Sequence, residues 1–297
     1  MKMKKITIGI IGYGKLGSVL AEAVSKKFKL FWITDNGQIQ TDSIFKKFQR
    51  KTSINHKISE IISVPDIIIL SVNDSNIEYV AKNLSIFLKD KLKDVWVVHC
   101  SGVLPLSILS SCEKFGAKTA CIHPFQTFYF PDVSILKGIG WTIETKHKPE
   151  FLKSFIKLIG GKSYLLQNVK KNTKVLHHLS AVFASNFLST VISGAGTLER
   201  IAGMKPEEFL PHIIDTTIRN NLKSMSETLR FPLTGPIARG DIETIKLHLE
   251  SLRNHSNLLN TYIYLSLATL ETAKKSKLIT KQKFAEIKEI LLTSLIE

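Results

Sequence analysis

The sequence predicts an α/β fold in which a doubly wound parallel sheet is followed by an all-helical C-terminal domain. Three observations carry this. Residues 1–167 alternate short β-rich apolar runs with helical stretches. A complete glycine-rich turn follows the first run directly and opens the first helical stretch. Beyond about Val169 the strand signals vanish, and apolar residues recur at helical spacing. A chain of 297 residues accommodates two domains, and we place them at 1–168 and 169–297.

In order, 6–11 reads as the first strand, 16–27 as the following helix and 30–34 as a second strand. The stretches 67–72, 95–100 and 118–122 are near-continuous apolar runs, as expected of strands covered on both faces. A further strand at 138–144 and a returning helix at 148–160 complete the first half. In the second half, helices are expected over 176–200, over 207–229 after the Pro206 breaker, over 241–277 and over 284–296.

Composition narrows the class. With 44% hydrophobic and 22% charged residues, the chain is of ordinary globular type. Continuous apolar runs such as 66–72 and 95–99 fall short of the roughly 20 residues of a membrane helix, and 6–11 is too short for a signal-peptide core. Cys100, Cys112 and Cys121 are an odd set without metal-ligand spacing, pointing to reduced thiols, a cytoplasmic setting and no metal. The net charge of +16 comes from 35 Lys and only six Arg, with the Lys scattered in ones and twos and no basic stripe interleaved with aromatics. That describes a solvated surface and not a nucleic-acid interface. An excess of +11 lies in 1–168 and +5 in 169–297, while five of the six Arg lie in the second half.

Gly12-Tyr13-Gly14-Lys15-Leu16-Gly17 is a G-x-G-x-x-G between a strand and a helix, the context that a dinucleotide site requires. Gly12 permits the tight turn, Gly14 lets backbone approach a pyrophosphate, and Gly17 lets helix and strand pack closely. The helix N-terminus supplies free N–H groups and partial positive charge. Eighteen residues beyond Gly17, Asp35 stands where a carboxylate would accept a bond from a ribose 2′-OH and repel a 2′-phosphate, favouring NAD. Asp35-Asn36-Gly37 is equally a turn signal. In such sheets the ligand lies outside the carboxyl ends of the strands. The residues leaving them are Ser71-Val72-Asn73-Asp74, His99-Cys100-Ser101-Gly102 and His123-Pro124-Phe125-Gln126. Val72, Asn73, Asp74, Ser101 and His123 thereby join the glycine turn as candidate cofactor contacts.

In the helical half, His178 and Asn186 are eight residues apart and share one helix face with Val182. On an apolar helix such groups need a partner in the protein or in a ligand. His177 lies about 100° away and reads as a bystander. The segment 233–241 carries two glycines, a proline and an Arg–Asp pair. Asp241 suits a helix N-cap, and Arg239 either clamps a carboxylate bidentately or pairs with Asp241.

Taken together, Gly12–Gly17, Val72-Asn73-Asp74, His99–Gly102, His123-Pro124-Phe125, His178 through Asn186 and Thr234–Asp241 resemble the Rossmann-like proteins with a C-terminal domain of unknown function 2520. More broadly they resemble the 6-phosphogluconate dehydrogenase-like superfamily, with pyrroline-5-carboxylate reductase, ketopantoate reductase and prephenate dehydrogenase. The resemblance implies a homodimer with a nicotinamide cleft between a Rossmann domain and a helical domain, and for some members ketopantoate reduction in pantothenate synthesis. It also implies NADP, from which Thr34-Asp35 departs, and a catalytic Lys on the first helix of the second domain, where this chain offers His178. The expectation is therefore an NAD(P)-dependent oxidoreductase reducing a small carbonyl substrate, a 2-oxo acid of the ketopantoate type. His178 or a water would protonate, Asn186 would orient the carbonyl, and Arg239 would hold the carboxylate. A cyclic imine reductase and a non-catalytic dinucleotide sensor are the alternatives.

Overall fold

The computed structural model describes residues 6–37, 48, 52–167, 170, 172–227 and 232–295. Among them eight strands form one sheet: β1 (Thr7–Ile11), β2 (Lys29–Thr34), β3 (Ser53–Asn55), β4 (Ile67–Leu70), β5 (Trp96–His99), β6 (Lys118–Pro124), β7 (Gly140–Thr145) and β8 (Lys162–Leu165). Their order is β3-β2-β1-β4-β5-β6-β7-β8. Period-two alternation feeds two cores. Ile67, Ile69 and Val98 join one with α1 (Lys15–Lys27), while Ile68, Leu70 and Val97 join the other with α2 (Asp74–Leu88). Both faces are thus covered, which is why these strands read as unbroken apolar runs. Each fully buried Ile, Leu or Val contributes roughly 1.5–3 kcal/mol of burial. Gly9 is required within β1, because a Cβ there would stand 2.5 Å from the Trp32 ring.

The parallel sheet expected from the sequence carries one antiparallel pairing. β7 runs antiparallel to β6, whereas β8 is parallel to β7. A parallel return needs a covering crossover. The β6–β7 link holds only a 3-10 turn at Val133–Leu136, whereas α3 (Glu150–Leu158) covers the link to β8. The polar β3 and the edge strand β8, whose residues are exposed or half-buried in alternation, carry too little apolar signal to be read from the sequence.

The first compact unit ends at Phe187 and the second begins at Leu188. The change of texture near 168–169 therefore precedes the change of packing. The helix α4 (Thr173–Ala181) belongs with the sheet, to which Lys174 ties it through an ion pair with Glu144 of β7 at 2.8 Å. Residues 168 and 169 lie outside the described residues. A π-helical turn at Val182–Phe187 carries α4 into α5 (Leu188–Ile201). The resulting 29-residue helix, with a mean hydropathy of 1.4 over its most apolar window, is long and apolar enough to cross a membrane by length and composition. Ser, Thr and Gly interrupt its apolar runs, which is why the continuous-run criterion passes over it.

The second unit contains α5, α6 (Pro206–Glu227), a one-turn helix at Pro236–Arg239, α7 (Ile242–Leu252), α8 (Ser256–Lys275) and α9 (Lys281–Thr293). Ile237, Ile245, Leu249, Ile263, Leu270 and Ile287 form its core. Pro206 opens α6 rather than stopping short of it, as suits a residue without an N–H at the first helical position. The expected helix 241–277 is two helices. Asn254, His255 and Ser256 favour caps and turns, and the chain breaks after Leu252, whose carbonyl accepts from His255 N–H at 2.8 Å. α9 starts three residues earlier than its apolar pattern, where Thr280 Oγ1 accepts from Lys283 N–H at 3.2 Å. Residues 228, 229 and 296 of the expected helices lie outside the described residues.

His99 ends β5 fully buried. Its Nδ1 accepts from Ser101 N–H at 3.2 Å, and its Nε2 has no partner among the described residues. Burial foremost, then the charge of Lys174, lowers its pKa from 6.5 to about 3. The unfolded chain takes up this proton near pH 6.5 and the folded chain only near pH 3. The associated stability is thus complete above 6.5 and is lost as pH falls toward 3, by up to about 1.4 kcal/mol per pH unit. Urea-unfolding free energies measured from about pH 7 to about pH 4 are expected to fall more steeply for the wild type than for His99→Leu. Parallel curves would assign the acid sensitivity to other groups.

Candidate active site

The site begins where the strand order reverses, between β1 and β4. Gly12 adopts φ +93°, in the left-handed region, and its N–H donates to Thr34 O at 2.9 Å. Ser71 Oγ, at the end of β4, donates to Gly12 O at 2.7 Å. A Cβ on Gly17 would overlap that same carbonyl oxygen, so close packing of α1 on the turn demands glycine. Gly14 is exposed, with nothing within 4 Å of where a Cβ would stand, and no side chain caps α1 there. Open space over an uncapped helix N-terminus is what a pyrophosphate needs, so these residues fit a dinucleotide.

A cavity of about 530 Å³ opens at this point, lined by residues 14–16, 71–74 and 100–101. It gathers Gly14, Lys15, Leu16, Val72, Asn73, Asp74 and Ser101 from the sequence-derived set, while Gly12, Tyr13 and Gly17 are buried beneath as the frame. Ser101 Oγ donates to Asp74 Oδ2 at 2.7 Å and accepts from Val103 and Leu104 N–H at 3.2 and 3.1 Å, which shapes the loop after β5. Asp35 makes the anticipated turn and is also tied to the glycine turn. One carboxylate oxygen accepts from Gly37 N–H at 3.2 Å, making the turn, and the other accepts from Tyr13 N–H at 2.6 Å, tying the end of β2 to the glycine turn.

His123 lies beside this cavity, at the imidazole cluster adjoining Gly102. Its Nδ1 is 3.0 Å from Cys100 O. A carbonyl only accepts, so the proton sits on Nδ1 and Nε2 keeps its lone pair. Burial, foremost, lowers the His123 pKa below 6.5, against the opposing bond to Cys100. His178 reaches the same place from α4, its ring centroid 5.9 Å from that of His123. Gly102 lies against both: a Cβ on it would stand 2.7 Å from His178 Nδ1 and 2.8 Å from His123 Nε2. His178 Nδ1 is buried without a partner among the described residues.

Sequence reasoning overlooked two residues of α4. His177, read as a bystander, stacks on Phe125 at 4.3 Å and 27°, and its Nε2 is likewise buried and unpartnered among the described residues. The helix also carries a lysine, Lys174, four residues before His178 and only 7% exposed. The signal was its i, i+4 spacing to His178 on an apolar helix. Its Nζ donates to Leu104 O and forms an ion pair with Glu144 Oε2.

The other two catalytic candidates stand differently. The π-helical turn lies between His178 and Asn186, so α-helical spacing does not put them on one face, and Asn186 is exposed. Arg239 lies in the second unit at the end of the one-turn helix, exposed and without an ion pair among the described residues. Asp241 does not pair with it within ion-pair distance. It caps α7 instead, with Oδ1 accepting from Thr244 N–H at 3.2 Å and Oδ2 from Thr244 Oγ1 at 2.8 Å.

Residues 7–102 match the family described as NADP oxidoreductase, coenzyme F420-dependent, and residues 139–269 match the domain of unknown function DUF2520. The chain joins an oxidoreductase Rossmann domain to a DUF2520 domain. Its N-terminal match places it among the NAD(P)-dependent oxidoreductases. No curated protein sequence matches the chain. Among solved structures, one from Bacteroides fragilis, provisionally assigned as an NADP oxidoreductase, is 23% identical, with a TM-score of 0.75 and coverage of 90% of this chain and 98% of that one. The NADP-bound pyrroline carboxylate reductase of Plasmodium falciparum is 16% identical, with a TM-score of 0.57 and coverage of 93% and 98%. A reductive aminase of Aspergillus terreus, in complex with NADPH, is 14% identical, with a TM-score of 0.59 and coverage of 98% and 94%. These likenesses share the fold.

The imidazole cluster makes Gly102 a sensitive position. Gly102→Ala is expected to displace His123 and His178, reducing turnover at least about tenfold, an effect of roughly 1.4 kcal/mol on the barrier. Dinucleotide binding, followed by fluorescence, should change less than about threefold. Unchanged turnover would show that the two imidazoles take no part in the reaction.

Proposed function

We propose that the chain catalyses hydride transfer between a nicotinamide dinucleotide and a small carbonyl compound, with a 2-oxo acid of the ketopantoate type as the first substrate to try. The supporting observation is that an uncapped, open glycine turn after β1 and a half-buried imidazole pair, formed by His123 of β6 and His178 of α4, belong to the same sheet and the helix packed on it. When bound, the nicotinamide supplies or takes up the hydride. The turn 12–17 would hold the pyrophosphate, Asp35 the ribose hydroxyls, and Val72, Asn73, Asp74 and Ser101 the walls of the cavity. His178, or a water beside it, would move the proton, with His123 next to it. Asn186 is the candidate to orient the carbonyl. Arg239, whose planar guanidinium is exposed and without an ion pair among the described residues, is the candidate to hold a carboxylate.

Asp35 supports NADH over NADPH, since its carboxylate, held at the glycine turn, opposes a 2′-phosphate. Reduction of a cyclic imine is the second reading, favoured by the fold shared with pyrroline carboxylate reductase and with an imine reductase of Streptomyces aurantiacus. We further read the chain as a soluble cytoplasmic homodimer. α6 has no buried residue and α5 only Gly196, which leaves Val191, Leu198, Phe209, Ile213 and Leu222 exposed in the single chain. A second copy would cover such a surface.

Steady-state oxidation of NADH and NADPH with ketopantoate, other 2-oxo acids and cyclic imines is the test. NADH-linked turnover of an oxo acid is expected, with Arg239→Ala lowering kcat/KM at least about tenfold, or roughly 1.4 kcal/mol. Binding of neither dinucleotide would end the proposal, and turnover of imines alone would select the second reading. Asp35→Arg should move preference toward NADPH, and an unchanged ratio would remove Asp35 from cofactor selection. Sedimentation equilibrium should return twice the chain mass; a monomer would leave the exposed faces to another partner.

A further inference from the structure

The cavity at the glycine turn has one basic residue in its lining, Lys15, and one acidic residue, Asp74. Their charges cancel, so a pyrophosphate would bring its negative charge into a lining with no cationic surplus. Lys15 has no ion pair among the described residues; its ammonium lies over the face of the Tyr129 ring, 4.6 Å from the centroid. Tyr129 follows the end of β6, at Pro124, by five residues. In the sheet, β4 and β5 separate β6 from β1, the strand that leads into Lys15. The segment after β6 thus brings an aromatic ring back to the first residue of α1.

That segment is fixed on either side of the ring. Phe125 N–H donates to Gly140 O at 2.8 Å, and Phe128 packs against the core that α1 shares. Asp132 N–H donates to Phe130 O at 2.9 Å, and Asp132 Oδ1 accepts from Ser134 N–H at 2.8 Å. Between these anchors Tyr129 and Phe130 are 68% and 72% exposed. Their rings meet edge to face at 4.6 Å and 88°, so Phe130 props Tyr129 from the side and leaves a ring face to Lys15. Two large rings held in solvent gain little from burial, which makes the contact with Lys15 the feature that their placement serves.

We propose that Tyr129 is a positioning residue of the dinucleotide site, holding the Lys15 ammonium at the mouth of the cavity for the pyrophosphate. A ring face suits this task better than a carboxylate. It attracts a cation without neutralising it, and it leaves ammonium N–H groups free to donate to phosphate oxygens. The inference rests on the reading of the glycine turn as a dinucleotide site, and it deepens that reading by assigning a side-chain charge and its support to the phosphates.

The test is NADH and NADPH binding to the full chain, followed by fluorescence, in a cycle of variants. Lys15→Met should weaken binding at least about fivefold, and Tyr129→Leu about two- to fivefold. Tyr129→Phe keeps the ring face and should stay within about 1.5-fold of the wild type. Because Tyr129 acts through Lys15, adding Tyr129→Leu to Lys15→Met should cost less than about 1.5-fold more. Raising salt from about 0.05 to about 0.5 M should weaken binding more in the wild type than in Lys15→Met. Both side chains are exposed, so all variants should keep the wild-type melting temperature within about 2 °C. Wild-type affinity in Tyr129→Leu, an equal loss in Tyr129→Phe, a full additional loss in the double variant or equal salt dependence would each overturn the proposal. Tighter binding by Lys15→Met would overturn it too, by making the contact a barrier to the cofactor. A wild type that binds neither dinucleotide would refute the underlying reading as well, whereas a wild type that binds and variants that match it would refute only the role of Tyr129 and Lys15.

Discussion

The carboxyl edge of the sheet is organised by the flanking of β1 by two parallel neighbours, β2 and β4, from which the chain winds outward in opposite directions. Register is set at the far end of the strands. Thr7 N–H and Oγ1 both donate to Asp66 Oδ2, at 2.8 and 2.7 Å, and Asp66 N–H returns a bond to Thr7 Oγ1 at 3.0 Å. With that end pinned, Ile11 pairs with Leu70, and the residues that follow, Gly12 and Ser71, come within a 2.7 Å hydrogen bond. A slip of one residue would reverse every side chain of β1 and remove Gly9 from the place taken by the Trp32 ring. The cavity is thus a consequence of strand register, and the glycines of the turn allow backbone to pass where register brings two strand ends together.

A second constraint concerns buried polarity. His99 Nε2, His177 Nε2 and His178 Nδ1 are buried without partners among the described residues, and Lys174, one turn before His178, is buried as well. Each unsatisfied polar atom costs about 1–3 kcal/mol of stability. A fold under selection for stability alone would replace such groups by apolar ones, and their concentration around one loop is what a functional site looks like energetically. The loop is held by backbone as much as by side chains: the Cys100 carbonyl fixes the His123 tautomer, and Ser101 Oγ gathers the N–H groups of Val103 and Leu104.

Much of this was legible in one dimension. The apolar runs of β1, β4, β5 and β6 announce strands covered on both faces, and Gly12–Gly17 announces the turn, because close approach of backbone admits no other residue there. The strand ends after β4 and β5 could be named as cavity walls, since parallel winding sends them all to one edge. Other features had no local signal. β3 and β8 are too polar, the direction of β7 depends on what covers its link to β6, and the π-helical turn that contains Asn186 is invisible to 3.6-residue periodicity. Lys174 was hidden in a different way. In a chain with 35 lysines, the local sign that set the buried one apart was its i, i+4 spacing to His178 on an apolar helix.

By itself, then, the sequence determined the class of the fold, the position of the glycine turn, the carboxylate of Asp35 behind it and the identity of the imidazoles. Each of these is written in residue type and spacing within a single element. The tertiary structure decided which nitrogen of His123 carries the proton, that His177 belongs to the cluster, that Gly102 must be glycine because of His123 and His178, and that Lys174 belongs with Glu144. These are decided by contacts between residues 20 to 80 positions apart in the chain, and no local pattern can encode a partner that only the packing of α4 against the sheet brings within reach.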